Sequence, residues 1–135
     1  MVKIIAEIAS CHNGDIELAL AHVRAARDSG ADFVKFQSWL AAYVADDDPD
    51  KGRYEKYEFT DEMHHIVKEY CDQIGVGFLT TVTRVERIPF LRSLGLESVK
   101  SAAVSLSNTE LLRSATENSG AVLASTAMQE PITIR

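Results

Sequence analysis

The stretch that decides the fold is GADFVKFQ, residues 30–37. Its run of apolar residues predicts a buried parallel strand, and Gly30 predicts the end of the preceding helix. Lys35 lies inside this predicted strand, where an ammonium group is costly to bury unless it has a partner or a function. The position of Lys35 therefore predicts a polar site built on the sheet.

Two further charged residues end apolar strand-like runs. Glu7 follows the run KIIA at residues 3–6, and Lys100 follows the run LESV at residues 96–99. We expect Glu7 to lie beside Lys35 as its partner. Three charged groups at the ends of three strands indicate a polar site on a parallel sheet.

Strand-like runs alternate with helical patterns along the whole chain. The predicted strands are residues 3–8, 32–37, 77–81, 98–101 and 121–125. The predicted helices are residues 15–29, 60–73, 85–93 and 108–118. Residues 38–59 show no clean period, and we expect a long loop there. This alternation is typical of an α/β fold with a parallel sheet.

Two architectures are compatible with this pattern. A TIM-type (β/α) barrel has eight strands and roughly 250 residues, whereas an open doubly wound sheet of five strands would be complete at 135 residues. The composition does not decide between them.

Composition excludes several other classes of protein. A hydrophobic content of 46% in 135 residues supports one domain, and the net charge of -6 without a basic tract argues against nucleic-acid binding. No apolar run approaches the roughly 20 residues that a membrane-spanning helix needs. Cys11 and Cys71 do not form a disulfide framework, so we expect a cytoplasmic protein. No pair of metal-type ligands has the spacing of a zinc finger.

Polar residues at the carboxyl ends of the predicted strands are the candidate site residues, because barrels carry their functional groups there. The candidates are Glu7, His12, Asn13, Lys35, Gln37, Thr80, Thr81, Lys100, Ser125 and Thr126. Two lysines with amide and hydroxyl donors suit an anionic substrate that carries a phosphate or a carboxylate. A carboxylate such as Glu7 could orient a polar co-substrate or transfer a proton.

Several other polar and aromatic residues could have a purely structural role instead of a functional one. His12 could serve only the backbone of its loop, and Trp39 could wall a pocket or pack as part of a lid. We expect His64 and His65 on an exposed or half-buried helix face rather than as ligands. Cys71 is expected to be a packing residue. Neither a Rossmann fingerprint nor a P-loop is present.

Three motifs carry a resemblance to a known family. IIAEI at residues 4–8, HNGD at 12–15 and GADFVKFQ at 30–37 resemble the N-terminal half of the sialic acid synthases. These enzymes make N-acetylneuraminate and related nonulosonic acids. Weaker matches follow in order along the chain at residues 78–81, 99–100 and 125–126.

The resemblance implies a TIM-type barrel that condenses phosphoenolpyruvate with N-acetylmannosamine or a related N-acyl amino sugar. Carbon 3 of phosphoenolpyruvate attacks the sugar aldehyde, water adds to the resulting oxocarbenium carbon, and phosphate leaves. It also implies a divalent metal, Mn²⁺ or Mg²⁺, whose histidine ligands belong to later strands than those in this chain. The resemblance makes Glu7, Lys35 and Gln37 the expected catalytic residues. The expected substrate-binding residues are Lys35, Thr81, Lys100, Ser125, His12 and Asn13.

The chain departs from the family pattern at several positions. Cys11 stands where the family has Asn, and Val82-Thr83-Arg84 stands where it has Pro-Phe-Asp. Ala103 lacks a hydroxyl that helps to bind phosphoenolpyruvate in the family, and Val104 replaces a glycine.

We therefore expect residues 1–135 to be the N-terminal part of such a barrel, roughly its first five β/α units, without the family's C-terminal antifreeze-like domain. The isolated chain is expected to be incomplete and inactive, and to form a homodimer or to pair with a C-terminal half. One alternative is a non-catalytic half barrel that binds phosphoenolpyruvate or a sugar phosphate. Another is a different barrel aldolase or 3-deoxy sugar-acid synthase, with Lys35 or Lys100 as a Schiff-base amine.

Overall fold

The computed structural model describes residues 2–96 and 98–127. Within these ranges the strands are β1 (Ile5–Ala9), β2 (Phe33–Ser38), β3 (Gly77–Val82), β4 (Ser98–Ser101) and β5 (Ala121–Ala124). The α-helices are α1 (Ile16–Asp28), α2 (Lys51–Lys56), α3 (Asp61–Ile74), α4 (Ile88–Ser93) and α5 (Thr109–Asn118). Short 3₁₀ turns cover Ala41–Tyr43, Val85–Arg87 and Ala103–Ser105.

The strands follow one another in the sheet in chain order, β1-β2-β3-β4-β5. The pairs β1–β2, β3–β4 and β4–β5 are parallel. Doubly wound sheets reverse their strand order at a switch point, whereas a (β/α) barrel adds each strand beside the previous one. The sequential order therefore indicates the TIM type among the two architectures that the sequence allowed.

Side-chain caps fix the starts of the longer helices. The carboxylate of Asp15 accepts hydrogen bonds from the backbone N–H groups of the first turn of α1, at 2.8 and 3.2 Å. The hydroxyl of Thr60 caps α3, and Asn108 Oδ1 caps α5 at 3.0 Å. Gly75 ends α3 in the left-handed conformation, with φ of 72°.

The expected long loop at residues 38–59 is wrong, because this segment contains a 3₁₀ turn and α2. Helix α2 has six residues, includes Gly52 and has no side-chain cap, so no helical period is visible in its sequence. The predicted helix at residues 85–93 is also divided, into the 3₁₀ turn Val85–Arg87 and α4.

The described residues divide into two compact units, one ending at Thr80 and the other beginning at Thr81. The core of the first includes Val23, Val34, Phe36, Phe59 and Val67, which have no exposed surface. Leu91, Val99, Leu111 and Ala115 are buried in the second unit.

Cys71 belongs to the core of the first unit. It has no exposed surface, and burial raises the pKa of its thiol to about 12. The prediction that it is a packing residue is confirmed. Among the described residues, no helix combines the length and the hydropathy that crossing a bilayer would require.

Gly77 at the start of β3 should not tolerate a side chain. A Cβ atom there would overlap the ring of Phe33 on β2. We expect Gly77→Ala to lower the free energy of unfolding by about 1–3 kcal/mol, the usual cost of overpacking. Urea denaturation followed by circular dichroism measures this change.

Gly52→Ala is the matched control, because a Cβ at Gly52 meets nothing within 4 Å. Alanine favours a helix over glycine by roughly 0.5–1 kcal/mol, so this variant should be neutral or stabilised. Equal stability of the Gly77→Ala and Gly52→Ala variants would contradict the close contact with Phe33.

Candidate active site

The predicted partnership of Lys35 and Glu7 is confirmed. The two residues lie opposite each other in the register of β1 and β2, and Lys35 Nζ forms an ion pair with Glu7 Oε2. The lysine side chain is 8% exposed and the glutamate side chain is 50% exposed. The pair thus has a buried cation and a carboxylate that reaches solvent, where a ligand can meet it.

The pairing of β1 with β2 becomes irregular directly after Glu7. The register with β2 shifts between Glu7 and Ala9, and Ala9 has a φ of 50°. The loop that follows is tight, with Cys11 N–H donating to the Ile8 carbonyl at 3.0 Å and Asn13 N–H donating to the Ser10 carbonyl at 3.1 Å. These bonds fix the loop at the carboxyl end of β1.

Asn13 and Gly14 supply the left-handed backbone of this loop, with φ values of 53° and 79°. Asparagine and glycine are the residues that adopt this region most readily. A Cβ on Gly14 would overlap the carbonyl oxygen of Lys56, at the end of α2. The loop after β1 therefore packs directly on the backbone of α2, and Asn13 has a conformational role beside its predicted substrate contact.

His12 is buried under the same loop, with 1% exposure. Its Nδ1 accepts a hydrogen bond from Gly14 N–H at 3.0 Å, and its ring lies 5.2 Å from that of Phe59 and 6.1 Å from that of Phe36. Burial, and secondarily the charge of His22, lower the pKa of His12. His12 thus holds the loop backbone, and its contact with a substrate stays a prediction.

His12, Phe36 and Phe59 belong to an aromatic cluster beneath the loop. His64 is also part of this cluster and has no exposed surface. The expectation of an exposed or half-buried position is wrong for His64. Its ring lies 4.4 Å from that of Phe59, and its Nδ1 donates to the Thr60 carbonyl at 2.8 Å. Phe59 stacks on Phe36 at 4.6 Å, and Phe78 completes the cluster.

A pocket of about 450 Å³ opens in the first unit. It is lined by Ser10, Gln37, Trp39, Arg53, Tyr54 and Tyr57, and is called the Trp39 pocket below. Ser10 follows β1, and Gln37 and Trp39 stand at the carboxyl end of β2, so the pocket lies where barrel enzymes bind their substrates. Trp39 is a pocket wall, and its ring meets the ring of Tyr54 edge-on at 5.4 Å.

The sequence did not identify Arg53 or Tyr54 as site residues. Both lie on α2, which shows no helical period in its sequence. The signal that could have found them is the group of Arg53, Tyr54 and Tyr57 within five residues, because arginine and aromatic side chains are enriched at binding sites.

The second unit brings together two other predicted site residues. Thr81 on β3 and Lys100 on β4 are partners in the register of these strands. Ser125 directly follows β5, and its backbone N–H donates to the Ser101 carbonyl at 3.1 Å. A cation and a hydroxyl therefore lie side by side at the carboxyl ends of β3 and β4, which suits a phosphate or a carboxylate.

A metal ion does not fit the described residues. In residues 2–96 and 98–127, no group of three or more His, Cys, Asp or Glu side chains could hold one. The chemistry that these residues themselves can perform is anion binding, hydrogen bonding and proton transfer.

Fold and site together define a β/α protein of the TIM type, with polar residues at the carboxyl ends of its strands. The chain matches the NeuB family over residues 22–135, and it belongs to this family. It is 31% identical over 140 residues to N,N'-diacetyllegionaminic acid synthase of Legionella pneumophila, an alignment that covers 93% of this chain and 39% of the relative.

Solved structures show the same fold. The N-acetylneuraminic acid synthetase of Leptospira borgpetersenii superposes with a TM-score of 0.90 and 27% identity, over 98% of this chain and 47% of that one. A truncated 3-deoxy-D-arabino-heptulosonate 7-phosphate synthase of Thermotoga maritima superposes with a TM-score of 0.72 and 13% identity. This superposition covers 97% of this chain and 42% of the synthase. The TIM-type fold and the family resemblance are confirmed. The chain spans about two-fifths of the length of the curated relatives that it matches.

Replacing Glu7 and replacing Lys35 should lower the stability of the protein by different amounts. Glu7→Gln leaves a buried ammonium group without its carboxylate, and we expect it to lower the free energy of unfolding by about 1–3 kcal/mol. Lys35→Met leaves only a half-exposed carboxylate behind, so its cost should be under about 1 kcal/mol.

Urea denaturation compares the two variants. Lys3→Met is the control, because the Lys3–Asp32 ion pair is largely exposed and should contribute under about 1 kcal/mol. Greater destabilisation by Lys35→Met than by Glu7→Gln would contradict the assignment.

His12 should make stability depend on pH. Because its pKa is lower in the folded state than the ordinary 6.5, the unfolded chain binds the proton more strongly. The contribution of His12 to the free energy of unfolding is therefore fully present above pH 6.5 and is lost as the pH falls below that value. Urea denaturation at pH 7.5 and 5.5 should show a smaller pH dependence for His12→Phe than for the original chain, whereas His65→Asn should keep it. An unchanged pH dependence in His12→Phe would contradict a buried, neutral His12.

Proposed function

We propose that this chain forms the phosphoenolpyruvate-binding and sugar-binding part of a sialic acid synthase-type enzyme. The reaction would join phosphoenolpyruvate to an N-acyl amino sugar with release of phosphate, in carbohydrate biosynthesis. The observation that carries this proposal is the Glu7–Lys35 ion pair, built across two adjacent strands of a chain in the NeuB family. The relatives support it, since they include proteins named as legionaminic acid, pseudaminic acid and N-acetylneuraminate-9-phosphate synthases.

The residues have distinct roles in this proposal. Lys35 presents a positive charge to the substrate anion, and the half-exposed carboxylate of Glu7 orients a sugar hydroxyl or moves a proton. Gln37, which lines the Trp39 pocket, contacts the sugar. In the second unit, Thr81, Lys100 and Ser125 bind phosphoenolpyruvate.

The complete activity is proposed to need more than this chain. We propose that a homodimer partner or a separate C-terminal half completes the site and that the ligands of Mn²⁺ or Mg²⁺ lie outside the described residues. The share of the relatives that the chain covers, 39% of the Legionella enzyme, supports this. We also propose a cytoplasmic location, which the free thiols of Cys11 and Cys71 support.

Calorimetry with phosphoenolpyruvate tests the proposed function. Binding should be detectable with this chain, and Lys35→Met and Lys100→Met should each raise the Kd by tenfold or more, the equivalent of about 1.4 kcal/mol. The matched control is Lys68→Met, since Lys68 forms an exposed pair with Asp72 within α3 and should not affect binding.

Two outcomes would decide against the proposal. Unchanged phosphoenolpyruvate affinity in both lysine variants would remove the proposed site. Binding without condensation, even with manganese, sugar and a C-terminal half of a relative present, would favour the non-catalytic binding protein. The departures at Ala103 and Val104 are the observation that favours this second function.

A further inference from the structure

The Trp39 pocket holds hydrogen-bond donors that the protein itself does not use. The amide of Gln37, the indole N–H of Trp39 and the guanidinium of Arg53 form no hydrogen bond or ion pair with any residue in the described ranges. All three line the pocket, and none of them is buried, so they can donate to a ligand that displaces solvent there. Three donor groups in one lining suit a ligand that carries several oxygen acceptors.

The charge of the lining narrows the ligand further. Arg53 is the one charged residue among the six described lining residues, and no carboxylate lies among them. Lys56 is not a lining residue, but its Nζ lies 5.4 Å from the centre of the ring of Tyr57, which is one. A planar guanidinium binds phosphate or carboxylate through two parallel hydrogen bonds, so the pocket favours an anion.

The walls and the volume suit a ligand the size of one sugar. The rings of Trp39 and Tyr54 stand edge to face at 5.4 Å, and Tyr57 lies beside them in the lining. Aromatic faces bind the apolar C–H side of a sugar while its hydroxyls meet the polar groups. A volume of about 450 Å³ lies within the usual range for small-molecule sites.

The pocket adjoins the Glu7–Lys35 pair along the strand. Gln37 comes two residues after Lys35 on β2, so the two side chains lie on the same face of the strand, roughly 7 Å apart along it. A sugar held by Gln37 would extend toward the pair. The shared strand face favours an acceptor sugar over a separate effector as the ligand of the pocket.

We propose that the Trp39 pocket binds the acceptor sugar and that Arg53 makes this site specific for an acceptor with an anionic substituent. This inference rests on the proposed function and names its substrate class. Arg53 acts through charge and bidentate hydrogen bonding, so lysine can replace it only in part.

Trp39 allows a direct test, because it is the only tryptophan in the chain. Its fluorescence is followed during titration with N-acetylmannosamine, N-acetylmannosamine 6-phosphate, N-acetylmannosaminuronic acid, phosphoenolpyruvate and inorganic phosphate. One of the two anionic sugars should bind at least tenfold more tightly than the neutral sugar, and the preferred one identifies the substituent as phosphate or carboxylate.

Variants assign the preference to Arg53. Arg53→Gln should remove the preference for the anionic sugar, and Arg53→Lys should restore part of it. Arg113→Gln is the matched control, because Arg113 is an exposed arginine on α5 and is not part of the pocket lining. Circular dichroism shows that each variant is folded, which the exposure of Arg53 leads us to expect.

The inference is overturned if the neutral and anionic sugars bind equally, if Trp39 emission does not respond, or if Arg53→Gln keeps the preference. An equal response to phosphoenolpyruvate or inorganic phosphate that depends on Arg53 also overturns it, since the anion is then not part of a sugar. An Arg53-dependent sugar preference without any effect of Lys35→Met or Lys100→Met on phosphoenolpyruvate supports the pocket and removes the proposed function. If the lysine variants weaken phosphoenolpyruvate binding but Arg53→Gln does not change the sugar preference, the proposed function stands. Only the inference about the Trp39 pocket is then overturned.

Discussion

The first unit depends on one constraint, which is the burial of the Lys35 ammonium in the middle of β2. An ammonium group in this position needs a carboxylate, and Glu7 supplies it from the facing position of β1. Slipping β1 by one residue would turn Glu7 to the opposite face and place Ala6 or Ile8 opposite Lys35. The ion pair therefore specifies the register of the two strands as well as the location of the charges.

That register in turn positions the loop after β1. The register shifts between Glu7 and Ala9, and in the loop that follows Gly14 lies so close to the Lys56 carbonyl, at the end of α2, that no side chain fits. The neutral ring of His12 fills the space beneath the loop and accepts the Gly14 N–H. The Trp39 pocket follows from this contact, because the loop supplies Ser10 to one wall and α2 supplies Arg53 and Tyr54 to another.

Local chemistry explains what the sequence could predict. The caps Asp15, Thr60 and Asn108 have their partners within three residues, so the helices they start are visible in the chain. The pairing of Glu7 with Lys35 was also predictable, because a buried charge in an apolar strand demands a partner. Helix α2 was not predictable, since it is short, uncapped by a side chain and held by tertiary contacts. Arg53 was missed for the same reason, and His64 was misplaced because its burial comes from the Phe59 ring, which a helical period does not report.

Lys35 and Arg53, two cations of the first unit, differ in how much of their charge is available to a substrate. Lys35 shares its charge with Glu7, so an anion that approaches Lys35 also meets the negative carboxylate. Arg53 is exposed, lines the Trp39 pocket and forms no ion pair with a carboxylate in the described residues. An anion in the Trp39 pocket meets no carboxylate among the lining residues, whereas the Glu7–Lys35 pair can offer both a cation and a group that orients a hydroxyl or exchanges a proton. In the proposed function, this division separates substrate selection at the pocket from chemistry at the pair, and β2 contributes to both through Gln37 and Lys35.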